Sequence, residues 1–301
     1  MEDHRWLAEN GYQVRGHNLI WPGWNFLPRE LRQYQNDPAK LHRLTMERIE
    51  RMLADWRGKL AEWDVVNEVY RQHDLLDICG QEILVDWFKL ARRLDPAAKL
   101  YYNDANTLVN NQPGHQDHYY QTIQWLLEQG APVDGMGFQC HVHSLIPPEV
   151  IYQRIDRFAQ LGPEIHITEF NILSPEIPET IRGRYARDFM IAVFSHPKPV
   201  GIVAWLARGL RESSWNRSKA GAAFFREDWS VKPVGQAWLD LKTKEWHTYE
   251  QGKTDANDHF QTRGFHGKYE VLVKTGKDSK IVQASLGKED RTIRITLKET
   301  P

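Results

Sequence analysis

From residue 12 onward, short apolar runs alternate with amphipathic stretches, the pattern of repeated strand–helix units with parallel strands. The candidate strands are Val14–Ile20, Leu60–Asn67, Lys99–Asn103, Gly135–Val142, Glu164–Phe170 and Val200–Leu206. Between them, Leu84, Trp87, Phe88, Ala91 and Leu94 recur at helical spacing within Ile83–Asp95, as do Ile151, Ile155, Phe158 and Ala159 within Glu149–Leu161. The Pro147-Pro148 pair suits a helix start, and Asp95-Pro96 a sharp stop.

These are six units, where a closed (β/α)8 barrel uses eight in about 250 residues. An open doubly wound sheet is the rival, but no glycine-rich phosphate loop follows any strand, and "GMGF" sits inside one. The polar positions decide between them. His17, Asn67-Glu68, Asn103-Asp104, Gln139/His141/His143, Glu169 and Trp205 lie at or near the C-terminal ends of successive strands, where barrel enzymes carry their active-site groups. After Trp246 the texture changes. The helical period is lost, and Tyr269–Val273 and Thr292–Leu297 alternate, which predicts a small antiparallel β module over 247–301 beside a barrel over 1–246.

Composition narrows the partner. The 301 residues carry 39 basic and 40 acidic side chains, so no strong field draws the chain to nucleic acid or an anionic membrane. No apolar run reaches the roughly 18 residues of a membrane span, and Met1–Arg5 is not followed by the apolar core of a signal peptide. Cys79 and Cys140 are too few for a disulfide framework or a zinc module, so reduced thiols are expected. Twelve tryptophans, among them Trp21, Trp24, Trp205 and Trp215, serve core packing or, near carboxylates, stack on sugar faces.

The candidate chemistry rests on two glutamates that end apolar strands, Glu68 in "WDVVNE" and Glu169 in "HITEF". Across one barrel mouth such a pair suits glycoside hydrolysis, one carboxylic acid protonating the leaving oxygen and the other attacking or stabilising the sugar cation. A second reading comes from Gln139, His141 and His143, which alternate along one strand face. His141 and His143 could bind a metal with Asp104 or Glu169, or could hydrogen-bond a carboxylate.

"RGHNLIWPGWNFLP", "WDVVNE", "YYNDANT", "GMGFQCHVH" and "HITEFNI", with Ala204-Trp205, resemble in order and spacing the glycoside hydrolase family 10 endo-xylanases over about residues 1–246. The resemblance implies a (β/α)8 barrel that cleaves internal β-1,4 bonds of xylan with retention, needing neither metal nor cofactor. It implies Glu68 as general acid/base and Glu169 as nucleophile. Asn67 would hold the 2-hydroxyl of the sugar at the cleavage point, and His17 and Trp21 would line that subsite. Gln139 and His141 would orient the nucleophile region, with Trp205 and Trp215 as aromatic floor and lid. It further implies action on xylan or xylo-oligosaccharide outside the cell, by a secreted or periplasmic enzyme.

Three departures qualify this. Pro22 replaces a histidine, Ala105 replaces the aromatic of the family's "NDYN", and the first two strands of the family have no counterpart before "RGHN". The last agrees with the count of six units and predicts a barrel lacking its first two strands. Such a chain would act weakly, survive as an inactive carbohydrate-binding remnant, or be completed by a dimer partner or an N-terminal segment. The metal-dependent hydrolase stays open as a further alternative.

Overall fold

The computed structural model describes residues 2–174, 176–209, 221–276 and 278–297. Residues up to Gln236 form one compact unit and those from Ala237 onward a second, a division ten residues ahead of the change in sequence texture. In chain order the first unit contains α1 (Glu2–Glu9), β1 (Arg15–Ile20), α2 (Pro38–Trp56), β2 (Glu62–Asn67), α3 (Asp74–Cys79), α4 (Ile83–Leu94) and β3 (Lys99–Ala105). It continues through α5 (Pro113–Glu128), β4 (Gly135–Val142), α6 (Pro148–Ala159), β5 (Glu164–Ile172), α7 (Glu179–Ser195) and β6 (Pro199–Ala204), and α8 (Pro233–Asp240) follows.

The six strands pair in sequential order, each parallel to the next. Their register carries the polar positions to common levels: His17 opposite Asp64, Asn67 opposite Asn103, Asn103 opposite Gly137, Gln139 opposite Glu169, and His141 opposite Asn171. Strand ends differ from the sequence expectation by one or two residues. β3 runs on to Ala105 because it still pairs with Gln139, and β5 runs on to Ile172 opposite Val142.

The helices cover the outer face of the sheet. Pro38 sits in the first turn of α2, where its missing N–H costs nothing, and Asp37 caps that turn by accepting from Lys40 N at 2.9 Å. Leu41, Ile49 and Leu53 of α2 are buried, and Trp87 of α4 donates its indole N–H to Thr45 Oγ1 at 3.0 Å. β2 to β5 are almost wholly buried, whereas in β6 Val200 is 53 % and Val203 41 % exposed. Among the described residues β1 and β6 are the edge strands of this six-stranded sheet, and an edge strand has a neighbour on one side only.

The second unit is built on a hairpin, β7 (Gly267–Thr275) paired antiparallel with β8 (Asp278–Leu286). Here the expectation for Thr292–Leu297 fails. That segment is not a strand; β7 takes the nearer segment as partner, which closes the shorter loop. No helix among the described residues is long and apolar enough to cross a membrane.

Candidate active site

The polar residues at the C-terminal ends of the strands converge into one hydrogen-bonded set. Glu68 leaves β2 with a φ of 57°, a left-handed conformation that costs a non-glycine residue about 1–3 kcal/mol. Its backbone is held on both sides: its N–H donates to Asn103 O at 2.9 Å, and its carbonyl accepts from Gln72 N at 2.9 Å. The turn aims the Glu68 side chain at β4, where Gln139 Nε2 donates to Glu68 Oε1 and to Asn67 Oδ1, both at 3.0 Å. Burial is the main force pushing the Glu68 carboxyl above its ordinary range, and the charges of Asp104 and Glu169 add to it. The Gln139 hydrogen bond and His141 pull the other way.

Glu169 on β5 is buried; its Oε1 accepts from Asn103 Nδ2 at 3.5 Å, and its Oε2 lies 3.1 Å from His141 Nε2. Asn103 is the hub between the two glutamates. Its Nδ2 also donates to Asn67 Oδ1 at 3.0 Å, and its Oδ1 accepts from Thr168 Oγ1 at 2.7 Å. Asn67 Oδ1 therefore receives two donors while its Nδ2 has no protein partner, leaving a buried N–H group to offer. Gly137 makes room for this hub, since an added Cβ would stand 3.1 Å from both Asn103 Cγ and Thr168 Cγ2.

Toward β1, His17 Nδ1 pairs with the buried Asp64 at 2.9 Å. Burial opposes its charge, but Asp64 outweighs that and holds the imidazole above its ordinary pKa. Arg15, also bound to Asp64, anchors the N-terminal end of the sheet. Trp21 lies past the end of β1 with its ring stacked on Phe26 at 3.6 Å, and Phe26 is 45 % exposed. On the far side Trp205 stands edge-on to His141 at 6.0 Å with its backbone N–H on Phe170 O, and it is 39 % exposed. Trp215 lies outside the described residues.

The alternating histidines divide in role. His141 has its ring nitrogens on Glu169 and Asn171, whereas His143 is exposed. Among the described residues no three His, Cys, Asp or Glu side chains are grouped to hold a metal ion, so the metal-dependent reading has no ligand set here. Cys140 points away from the site into the core, and burial raises its thiol pKa. Sequence reasoning passed over Asp64, Asn103 as a hub, Thr168, Asn171 and Phe26. The available signal was period-2 spacing, because Asn171 shares a strand face with Glu169.

A family model for glycosyl hydrolase family 10 matches residues 4–241. The chain belongs to this family. Among curated proteins, it is 31 % identical over 294 residues to endo-1,4-beta-xylanase 1 of Arabidopsis thaliana, covering 96 % of this chain and 30 % of that protein. It is 28 % identical over 296 residues to the anti-sigma-I factor RsgI6 of Acetivibrio thermocellus, covering 98 % of this chain and 37 % of that one. The chain thus spans about a third of these curated relatives. Among solved structures, native xylanase 10B from Thermotoga maritima aligns with a TM-score of 0.72 at 27 % identity, covering 81 % of this chain and 78 % of that one. Xylanase 10B from Thermotoga petrophila in complex with xylobiose aligns with a TM-score of 0.71 at 26 % identity, covering 81 % and 78 %. The architecture is accordingly of the (β/α)8-barrel type, with six parallel strands among the described residues and a small antiparallel β hairpin following in the chain.

Proposed function

We propose that this chain is a retaining glycoside hydrolase acting on internal β-1,4-xylosidic bonds of xylan, with Glu68 as general acid/base and Glu169 as nucleophile. The observation that carries the reading is the contrast between the two carboxyls. Glu68 is pushed toward its protonated form chiefly by burial, while Glu169 accepts from Asn103 Nδ2 and lies in hydrogen-bond reach of His141 Nε2, polar company that suits an attacking carboxylate. Two carboxyls in unlike surroundings on one strand-end face are the equipment for double displacement. Glu169 attacks the anomeric carbon while Glu68 protonates the departing oxygen. Glu68, now ionised, takes a proton from water, and that water breaks the glycosyl–Glu169 ester with overall retention. Asn67, with its unpartnered Nδ2, donates to the sugar 2-hydroxyl, and His17, Trp21 and Trp205 line the cleft.

The substrate class rests on the named xylanases and the xylobiose complex among the similar proteins. With it goes action outside the cell, where polymeric xylan is found. The test is release of reducing sugar from xylan and of phenol from an aryl β-xylobioside. Glu169→Gln is expected to lower turnover on the order of 10⁴-fold or more, and chelator treatment to leave it unchanged. Full turnover in Glu169→Gln sinks the assignment. A second reading, a carbohydrate-binding remnant, draws on the exposed β6 edge, which a partner strand pair would cover. It is decided by xylo-oligosaccharide binding without turnover.

A further inference from the structure

Glu68 leaves β2 in a left-handed conformation, and its carboxyl stays aimed across the cleft only while that turn holds. On the backbone side, Asn103 O accepts the Glu68 N–H at 2.9 Å, and Arg71 N and Gln72 N donate to the Glu68 carbonyl at 3.2 and 2.9 Å. A second hold lies on the outer face of β3. Side chains alternate along a strand, so Asp104 points away from Asn103, toward the helices. Asp104 is fully buried; its Oδ1 accepts from Ala105 N at 2.7 Å and lies 3.3 Å from His115 Nε2 of α5. The Asn110 amide decides which ring nitrogen carries the hydrogen. Its oxygen accepts from Gln112 N at 3.0 Å, so its NH2 turns to His115 Nδ1 at 3.4 Å, and the hydrogen on Nε2 donates to Asp104. His115, itself fully buried, is thus pinned at both nitrogens. The ring of Tyr70 lies flat on it, with centroids 4.1 Å apart and planes 13° from parallel. His118 meets the same Tyr70 ring edge-on at 5.1 Å.

We infer that Tyr70, seated on His115, is a positioning residue that fixes the turn at Glu68 and so holds the acid/base carboxyl in place. This deepens the proposed function and rests on Glu68 being the acid/base. Tyr70 follows Glu68 by two residues, so a rigidly placed ring constrains the backbone that must stay left-handed. Little else presses on that segment from outside. Val69, Tyr70, His73 and His118 line a cleft of about 380 Å³, open space into which the turn would relax. A stacked ring pair contributes an amount comparable with the cost of one left-handed residue, so the stack is strong enough to matter. Gln139 grips the far end of Glu68 through Oε1, and Tyr70 secures the near end through the chain. A displacement of about 1 Å between the two holds is enough to cost on the order of 10²-fold in rate.

The test separates proton donation from nucleophilic attack by changing the leaving group. For the full chain, kcat/KM is measured on phenyl and on 2,4-dinitrophenyl β-xylobioside, beside a thermal-unfolding control. The phenyl oxygen needs the Glu68 proton to depart, whereas 2,4-dinitrophenolate leaves without it. Tyr70→Leu removes the ring and leaves His115 on Asp104. It is expected to lower kcat/KM about tenfold or more on the phenyl glycoside and less than about threefold on the dinitrophenyl one. Tyr70→Phe keeps the stack and should restore the wild-type ratio between the two substrates. His115→Gln keeps a donor for Asp104 but loses the ring, and should reproduce the split; it decides the matter if Tyr70→Leu does not fold. Equal losses on both glycosides in a folded variant, or no loss on either, overturn the inference while wild-type turnover keeps the proposed function standing. A wild-type chain that turns over neither glycoside refutes the proposed function, and the inference falls with it.

Discussion

Replacing Gln139 with leucine tests how the site sets the proton on Glu68. Gln139 is buried, and Nε2 is shared between Glu68 Oε1 and Asn67 Oδ1 at 3.0 Å each. Leucine keeps much of the volume and removes the donor, while Asn67 Oδ1 retains its bond from Asn103. A hydrogen bond to a charged acceptor contributes about 1.5–3 kcal/mol and one to a neutral acceptor about 1, so Gln139 favours ionised Glu68 over protonated Glu68 by about 0.5–2 kcal/mol. Burial already raises the Glu68 pKa and this bond opposes the rise, so its loss raises the pKa further. At about 1.4 kcal/mol per unit, the alkaline limb of kcat/KM moves upward by roughly 0.4–1.5 pH units, because Glu68 stays protonated to higher pH. The assay is kcat/KM on an aryl β-xylobioside from pH 4 to 10, beside a thermal-unfolding control for folding. An alkaline limb that stays in place or moves to lower pH refutes the reasoning.

Other parts of the barrel make independent predictions. Burial works against ionisation of Glu62, but the His166 hydrogen bond and the Arg15 charge hold its pKa down at about 2. The folded-state value lies below the unfolded one, so its stability is present in full above about pH 4.5 and lost as pH falls toward 2. Urea unfolding should show that loss between pH 5 and pH 2, and Glu62→Gln should shrink it by about 2 kcal/mol, allowing for partial solvent access. An identical acid slope in the variant counts against the network. Gly16→Ala would drive a Cβ into the buried Trp63 ring and should cost about 1–3 kcal/mol, read as a lower urea midpoint with unchanged m-value.

The local pattern of the chain was enough for the six parallel strands and their approximate ends. Those runs are apolar because helices cover one face and the barrel interior the other, and β4 spans Gly135–Val142 as the pattern indicated. Glu68 and Glu169 were legible for the same reason, since a carboxylate ending an apolar strand is conspicuous. The hairpin partner of β7 was not legible. Thr292–Leu297 alternates like a strand, yet Asp278–Leu286 took the pairing. Nor were the supports of the carboxylates. Asp64 under His17, Thr168 behind Asn103 and Asn171 behind His141 stand inside "WDVVNE" and "HITEFNI", yet neither stretch shows what those side chains touch. Each meets its partner from a strand distant in sequence. What joins them is inter-strand register, a long-range property that places opposite one another residues whose own neighbours give no hint of the contact.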